Sequence, residues 1–198
     1  VKEKIAKVIR RKASLITFVF DPTVIIPLFF AVLVSETGLT PSQIKVVLPL
    51  IFLVDIILPA SLFFLFLREG WISDWEISKR KERINLYLIV CLLWFVGSGI
   101  AYFLGTDLLF RLHLIFTLAF LAGAVTTLFW KVSMHMLVDT TVVIILNFLF
   151  PGFWWLYLLL PIIAWSRFVR QKHTLAQLLG GFLLAIVVVW VGVNLAHL

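Results

Sequence analysis

The stretch INLYLIVCLLWFVGSGIAYFL, residues 84–104, contains no Asp, Glu, Lys or Arg. Wound as an α-helix at about 1.5 Å per residue, it reaches about 30 Å, the thickness of the hydrocarbon layer of a bilayer. Only Gly105 and Thr106 separate it from DLLFRLHLIFTLAFLAGAVTTLF, residues 107–129, which is long enough to cross back. Reading outward in both directions gives further apolar runs at roughly 15–35, 44–67, 135–150, 153–168 and 174–197. None alternates polar and apolar side chains as a barrel strand does, and a backbone in lipid must satisfy its own hydrogen bonds. The predicted fold is therefore all-α, a polytopic transmembrane helical bundle of six or seven spans. Of the 198 residues, 63% are hydrophobic and 14% charged, with a mean hydropathy of +1.13. That leaves too little polar surface for a water-soluble domain of this size.

Two of the runs are short and meet at Pro151-Gly152, a reversal signal. They are read as two helices, because in one long helix His135 and Arg167 would face opposite ways. Pro22, Pro27, Pro49 and Pro59 fall inside the first two runs and predict kinks there.

The 17 Lys and Arg against 10 Asp and Glu leave a net charge of +7. With the N-terminus in the cytoplasm, every Lys and Arg except Lys45 and Arg111 falls on the inner side. This predicts an N-in, C-out multi-pass protein, its charge serving as a topology signal. No basic soluble domain is legible that could carry nucleic acid, so the expected partners are the bilayer and a lipid. Residues 1–14 read as a basic amphipathic segment suited to anionic headgroups, and residues 15–198 as the membrane domain. The first basic residues run into a long span with no small-residue cleavage site, so no removable signal peptide is read. Cys91 stands alone in an apolar run, which leaves no disulfide framework and no thiolate metal cluster.

Three polar segments alternate with the spans on the inner side: Asp74 to Arg83, Lys131 to His135, and Ser166 to His173. An even number of crossings separates each pair, so all three can converge. A phosphoryl group needs dense positive charge and many donors, which Arg supplies as a planar fork and helix N-termini supply as unpaired N–H groups. His135 and His173 each open a predicted helix beside basic residues. Two imidazoles can divide phosphoryl hydrolysis between them with no metal or cofactor. One, neutral, attacks phosphorus and forms a phosphohistidine; the other protonates the leaving oxygen. The nucleophile needs an acceptor for its second nitrogen. Gln177 lies four residues after His173 on the same helix face, and Asp139 lies likewise after His135.

Ser166-Arg167, five residues, then His173 resembles the third motif of the type 2 phosphatidic acid phosphatase superfamily, the membrane lipid phosphatases. Ser133-Met134-His135 is similar to that family's Pro-Ser-Gly-His motif. The basic stretch ending at Arg83 is similar to its first motif, a Lys followed six residues later by Arg-Pro. The resemblance implies metal-independent hydrolysis of a lipid phosphate or pyrophosphate. His173 would be the nucleophile and His135 the acid, with Arg167 beside them and Gln177 and Asp139 orienting the rings. Arg83, Lys79, Lys131, Ser133 and Ser166 would hold the phosphate. The pattern departs at Glu76, where a Lys is usual, so that Lys79 or Lys81 must substitute. It departs also at Ile84, in place of Pro, at Val132 and Met134, which flank Ser133, and at Gln177, in place of Asp. This last change is similar to the dolichyl pyrophosphate phosphatase branch, whose third motif continues His-Thr, then Gln, then Gly, as His173-Thr174, Gln177 and Gly180 do. It points to an isoprenoid pyrophosphate.

Two other classes stay open. A binding or transport protein for anionic lipids would use the same basic cluster without cleaving anything. Asp74-Trp75-Glu76 also resembles the first Asp-rich segment of UbiA-type prenyltransferases, whose Mg²⁺ chemistry needs a second such segment that this chain lacks. Elsewhere, Asp55 sits mid-span, where an ionised carboxylate costs ~2.5–3.5 kcal/mol or more. It is expected to be protonated, paired or in a wet cavity, as a structural partner or on a substrate path. Asp74 and Glu76 are expected to pair with neighbouring lysines, and Asp21 with the basic N-terminal arm. His113 and His197 are expected on the outer side as structural residues. Gly97, Gly99, Gly180 and Gly181 are expected to permit close helix packing.

Overall fold

In the computed structural model, which describes residues 2–198 with side chains from Lys4 onward, every regular element is helical. α1 (Lys2–Val19) and α2 (Pro22–Glu36) lead into α3 (Pro41–Ile51), which passes through a π-helical turn (Phe52–Ile57) into α4 (Leu58–Arg68). α5 (Arg80–Leu104) and α6 (Asp107–Phe129) form a long hairpin. α7 (Met134–Leu149), a 3-10 stretch (Pro151–Leu158) and α8 (Leu159–Val169) follow, and then α9 (Leu175–Leu195). Segments 4–36, 41–68, 80–104, 107–129, 151–169 and 175–195 are long and apolar enough to cross a membrane, and α7 is a shorter apolar helix. Leu88, Leu92, Val96 and Phe103 on α5 point outward, as do Leu179, Leu183, Val187 and Trp190 on α9. An outer surface as apolar as the core is stable only in a lipid-like solvent. The chain is an all-α, multi-pass membrane protein.

The first predicted run is not one helix. α1 stops at Val19, and Asp21 caps α2, its Oδ1 accepting from the Thr23 N–H at 3.0 Å with Pro22 at the first helical position. Pro22 therefore starts a helix where a kink was predicted, because its missing N–H is unneeded there. α1 buries Ala13 and Thr17, one turn apart, against α8, and Thr17 Oγ1 meets Ser166 Oγ at 3.2 Å. Its residues from Lys4 to Lys12, basic and apolar alike, are exposed. In the second run, Pro49 and Pro59 bracket the π-helical turn.

The reversal at Pro151-Gly152 divides two helical arms, and α7 packs against both the 3-10 stretch and α8. α7 is the central post of the bundle. Residues 134–143 are buried without interruption, enclosed by α2, α6, α8 and α9, so its polar side chains meet protein instead of lipid. Two glycines set how closely α9 approaches. A Cβ on Gly181 would lie 2.5 Å from the Ser133 carbonyl oxygen, and one on Gly180 would lie 2.5 Å from the Trp130 ring. Gly97 is likewise in close contact, but Gly99 faces open space and has no packing role.

Candidate active site

Arg83 in the first turn of α5, His135 in the first turn of α7, Arg167 in the last turn of α8 and His173 just before α9 line one cavity of about 380 Å³. The three polar segments converge as their membrane face predicted. The mouth of the cavity is polar, and its walls continue as Ile26, Pro27, Ile56, Phe63, Leu86, Val90, Trp94 and Phe120. All four polar side chains are buried or nearly so, Arg167 at 1% and His173 at 6% exposure.

His173 has a defined tautomer. Thr174 caps α9, and its backbone N–H donates to Gln177 Oε1 at 3.2 Å, which fixes that atom as the oxygen. His173 Nδ1 lies 3.2 Å from the same oxygen and must be the N–H donor. Nε2 is left with its lone pair free, and Gln177 orients the ring as expected. Burial lowers the imidazole from its ordinary 6.5 to about 3, helped by the positive charges of Arg167, Arg83 and Lys131. The ring is thus held neutral, the form that attacks phosphorus.

His135 is oriented by a different carboxylate from the one expected. Its Nε2 lies 3.3 Å from Asp21 Oδ2, close enough for an ion pair but without hydrogen-bond alignment. Asp139, one turn further along α7, is buried with neither oxygen partnered and makes no bond to His135. A four-residue spacing fixes the helix face but not the ring rotation, and the His135 ring turns toward the start of α2. Asp21 is accordingly a site residue, not a partner of the N-terminal arm. The signal was present in Asp21-Pro22-Thr23, a capping residue before a helix-starting proline.

Four expected phosphate ligands do other work. Lys79 precedes α5 and pairs with Glu82 at 3.0 Å in solvent, outside the cavity. Ser133 is fully buried and caps α7, accepting from the Met136 N–H at 3.4 Å. Ser166 Oγ donates to the Ile163 carbonyl at 2.8 Å and meets Thr17, tying α1 to α8. Lys131 Nζ donates to the Lys172 carbonyl at 3.1 Å, so it joins two loops and acts on His173 through its charge. In each case a partner within the chain takes the group that spacing alone assigned to a ligand.

Glu76 is the main surprise. Its carboxylate accepts from Arg167 Nη1 at 2.9 Å and from Arg170 Nη2, with Lys172 Nζ at 3.5 Å. Burial opposes its ionisation, but Arg167, Arg170 and Lys172 outweigh that and hold the carboxyl below its usual value. An anion therefore already stands in the cationic cage, supplied by the chain itself. The loop that carries it clamps the mouth: the Ile77 carbonyl accepts from Arg83 Nε at 2.6 Å, and Ser78 Oγ accepts from Lys172 at 3.1 Å. Ile77 has a φ of 45°, a conformation that costs a β-branched residue of order 1–3 kcal/mol. Asp74 turns into its own loop, its oxygens accepting from the N–H groups of Glu76 and Ser78. Asp74 and Glu76 are thus committed to the loop and the cage, and among the described residues no three His, Cys, Asp or Glu side chains gather to hold a metal.

At the far end of the cavity, Asp55 is paired. Its Oδ2 lies 2.9 Å from His113 Nε2, and both side chains are fully buried. His113, placed on the outer side by the sequence reading, sits in the core of the bundle, stacked on Phe30.

No family model, no curated protein and no solved structure matches the chain.

Proposed function

We propose that this protein hydrolyses a phosphate or pyrophosphate on a membrane lipid through a phosphohistidine on His173. The observation that carries the reading is the meeting of two histidines and two arginines, from four separate parts of the chain, at the mouth of one apolar cavity. Arg83 and Arg167 draw the phosphoryl oxygens in and neutralise the charge spread over them in the transition state. His173 Nε2 forms the new N–P bond as the bond from phosphorus to the leaving oxygen breaks. Asp21 offsets the charge of the His135 ring when it is protonated, and His135 gives that proton to the leaving oxygen. A water then attacks the phosphohistidine, His135 takes the proton from it, and inorganic phosphate leaves. The lipid chain lies along the apolar walls, entering sideways from the bilayer.

Resemblance at Gln177 favours an isoprenoid pyrophosphate. All basic residues except Lys45 and Arg111 flank the mouth's end of the bundle in this reading, which puts the site on the cytoplasmic side and the N-terminus inside. The carboxylate of Glu76 in the cage favours one second reading, a carrier that binds lipid phosphate without cleaving it. The prenyltransferase reading loses its support, since Asp74 and Glu76 are otherwise engaged.

The test is phosphate release from lipid phosphates in detergent with a chelator present. Turnover that falls at least ~10³-fold in His173→Ala and in His135→Ala, with both variants folded, is the expected result. Full turnover in either variant defeats the assigned roles, and saturable binding without turnover in the parent protein favours the carrier.

A further inference from the structure

One short stretch of loop covers the mouth of the cavity. It is anchored at both ends: Glu82 Oε2 accepts from the Ser73 N–H at 2.9 Å, and Arg80 Nη1 donates to the Thr127 carbonyl at 3.0 Å. Between the anchors the chain is folded on itself. Asp74 Oδ1 accepts from the Glu76 N–H and Oδ2 from the Ser78 N–H, both at 3.0 Å, and the Asp74 carbonyl accepts from the Ile77 N–H at 2.9 Å. These bonds make residues 74–78 a single strap. Glu76 reaches to one side, into Arg167 and Arg170. Trp75 reaches to the other, its ring centre 5.1 Å from that of Phe63 and 5.6 Å from that of Phe64, edge to face with both.

Trp75 stands at a gap in the wall. Among the described residues, four both line the cavity and are exposed: Thr23 in the first turn of α2, Ala60 and Phe64 on α4, and Trp75 itself. α2 packs on α3, α6 and α7, and α4 packs on α5, which leaves the wall open between α2 and α4. Phe64 lies one turn before the end of α4 and Thr23 two residues after Asp21, so the gap adjoins the histidines and arginines of the mouth.

We propose that a lipid phosphate enters through this gap between α2 and α4, and that Trp75 and Glu76 shut the route as one piece, Glu76 where the phosphate binds and Trp75 where the chain passes. This rests on the reading of the mouth as a phosphate site. The strap offers its own protein an anion with an apolar ring beside it, the chemistry of the ligand it keeps out. A lipid phosphate replaces both contacts: its phosphate takes the arginines from Glu76, and its chain covers Phe63 and Phe64 in place of the ring. Inorganic phosphate replaces only the first, yet it must lift Trp75 too, because the Asp74 turn ties the two residues together. The site therefore favours phosphates carried on a chain in the bilayer.

The test uses the intact protein in lipid nanodiscs, with radiolabelled inorganic phosphate and dodecyl phosphate as probes. Trp75 packs on phenyl rings, yet Trp75→Ala is expected to tighten inorganic phosphate roughly three- to tenfold, the worth of an aromatic contact. In an Asp74→Ala background, where the turn is undone, that gain disappears. Ala60→Trp, which fills the gap, is expected to slow dodecyl phosphate binding about tenfold while inorganic phosphate changes less than about twofold. Ala60→Leu replaces it if the larger variant fails to fold, and Leu92→Trp, on the exposed face of α5, changes neither probe. Motion of the strap is read from fluorotryptophan at Trp75, its line assigned with Trp75→Phe, beside a nitroxide on Leu65→Cys; Cys91 is buried and stays unlabelled. Broadening of that line weakens when dodecyl phosphate binds, and also in Glu76→Gln without ligand. Unchanged phosphate affinity in Trp75→Ala, undisturbed dodecyl phosphate binding in the filled-gap variant, or equal broadening in all states overturns the proposal. If neither probe binds the parent protein or Glu76→Gln, the phosphate reading of the mouth fails by itself. The nitroxide measurement on Glu76→Gln then still decides whether Trp75 and Glu76 move together.

Discussion

Replacing Glu76 by Gln separates an occupied anion site from a merely braced one. The carboxylate receives two direct hydrogen bonds, from Arg167 and Arg170, and the Arg167 side chain is only 2% exposed. A hydrogen bond to a charged group contributes about 1.5–3 kcal/mol, and a neutral acceptor retains about half of that. Gln therefore forfeits roughly the value of one charged bond. Partial solvation of Glu76 places it at the lower end, about 1.5 kcal/mol. If phosphate must displace this carboxylate, the variant binds an anion roughly tenfold more tightly, since 1.4 kcal/mol is a factor of ten. The unliganded protein loses the same contact and melts at lower temperature. The assay is the inhibition constant of inorganic phosphate or orthovanadate, with a thermal melt of each apoprotein. Tighter anion binding alongside lower stability is the expected pair of results. If affinity and stability fall together, Glu76 holds Arg167 in position and does not stand in for substrate, and the reasoning is refuted.

Five further outcomes can be measured. Nitrogen-15 shifts should show His173 as the neutral Nδ1–H tautomer from about pH 8 to 5; an imidazolium signal in that range contradicts the burial argument. Because its pKa falls from 6.5 to about 3 on folding, the unfolded chain binds the extra proton. Stability is then full above pH 6.5 and declines toward pH 3, by up to about 1.4 kcal/mol per pH unit from this residue. A chemical denaturation series should show that acid slope flattened in His173→Ala. Lys79→Ala should change turnover less than about twofold, since its ion pair is exposed, and Ser133→Ala should cost about 1 kcal/mol of stability as a lost cap without altering kcat. A large loss of turnover in either would restore them as phosphate ligands. Gly181→Ala should destabilise the bundle by about 1–3 kcal/mol, because its Cβ meets the Ser133 carbonyl; an unchanged melt shows that α9 can shift.

Much of the site could be read from the chain. His173 and Gln177 are four residues apart on a helix start, so their contact is local and survives any packing. The meeting of Arg83, His135 and Arg167 at one cavity was legible because each opens or ends a helix, and helix ends separated by an even number of spans gather together. The misassigned residues share a different property. Ser133, Lys79 and Ser166 each have a partner three residues away, Lys131 has a backbone oxygen in the separate loop before α9, and these contacts win over a distant ligand. Asp139 failed because helical spacing says nothing of how a ring rotates.

What the sequence determined by itself is the solvent preference of each stretch: long apolar runs, a lopsided distribution of positive charge, and short polar segments between them. Burial of apolar surface and the cost of unpaired backbone in lipid leave few arrangements for such a pattern, so the helical bundle follows. The tertiary structure alone decided which charge meets which. Asp21 beside His135, Glu76 inside the arginine cage and Asp55 on His113 each join parts of the chain 58 to 114 residues apart. Such pairs depend on the rotation and depth of one helix against another, which packing fixes and periodicity does not encode.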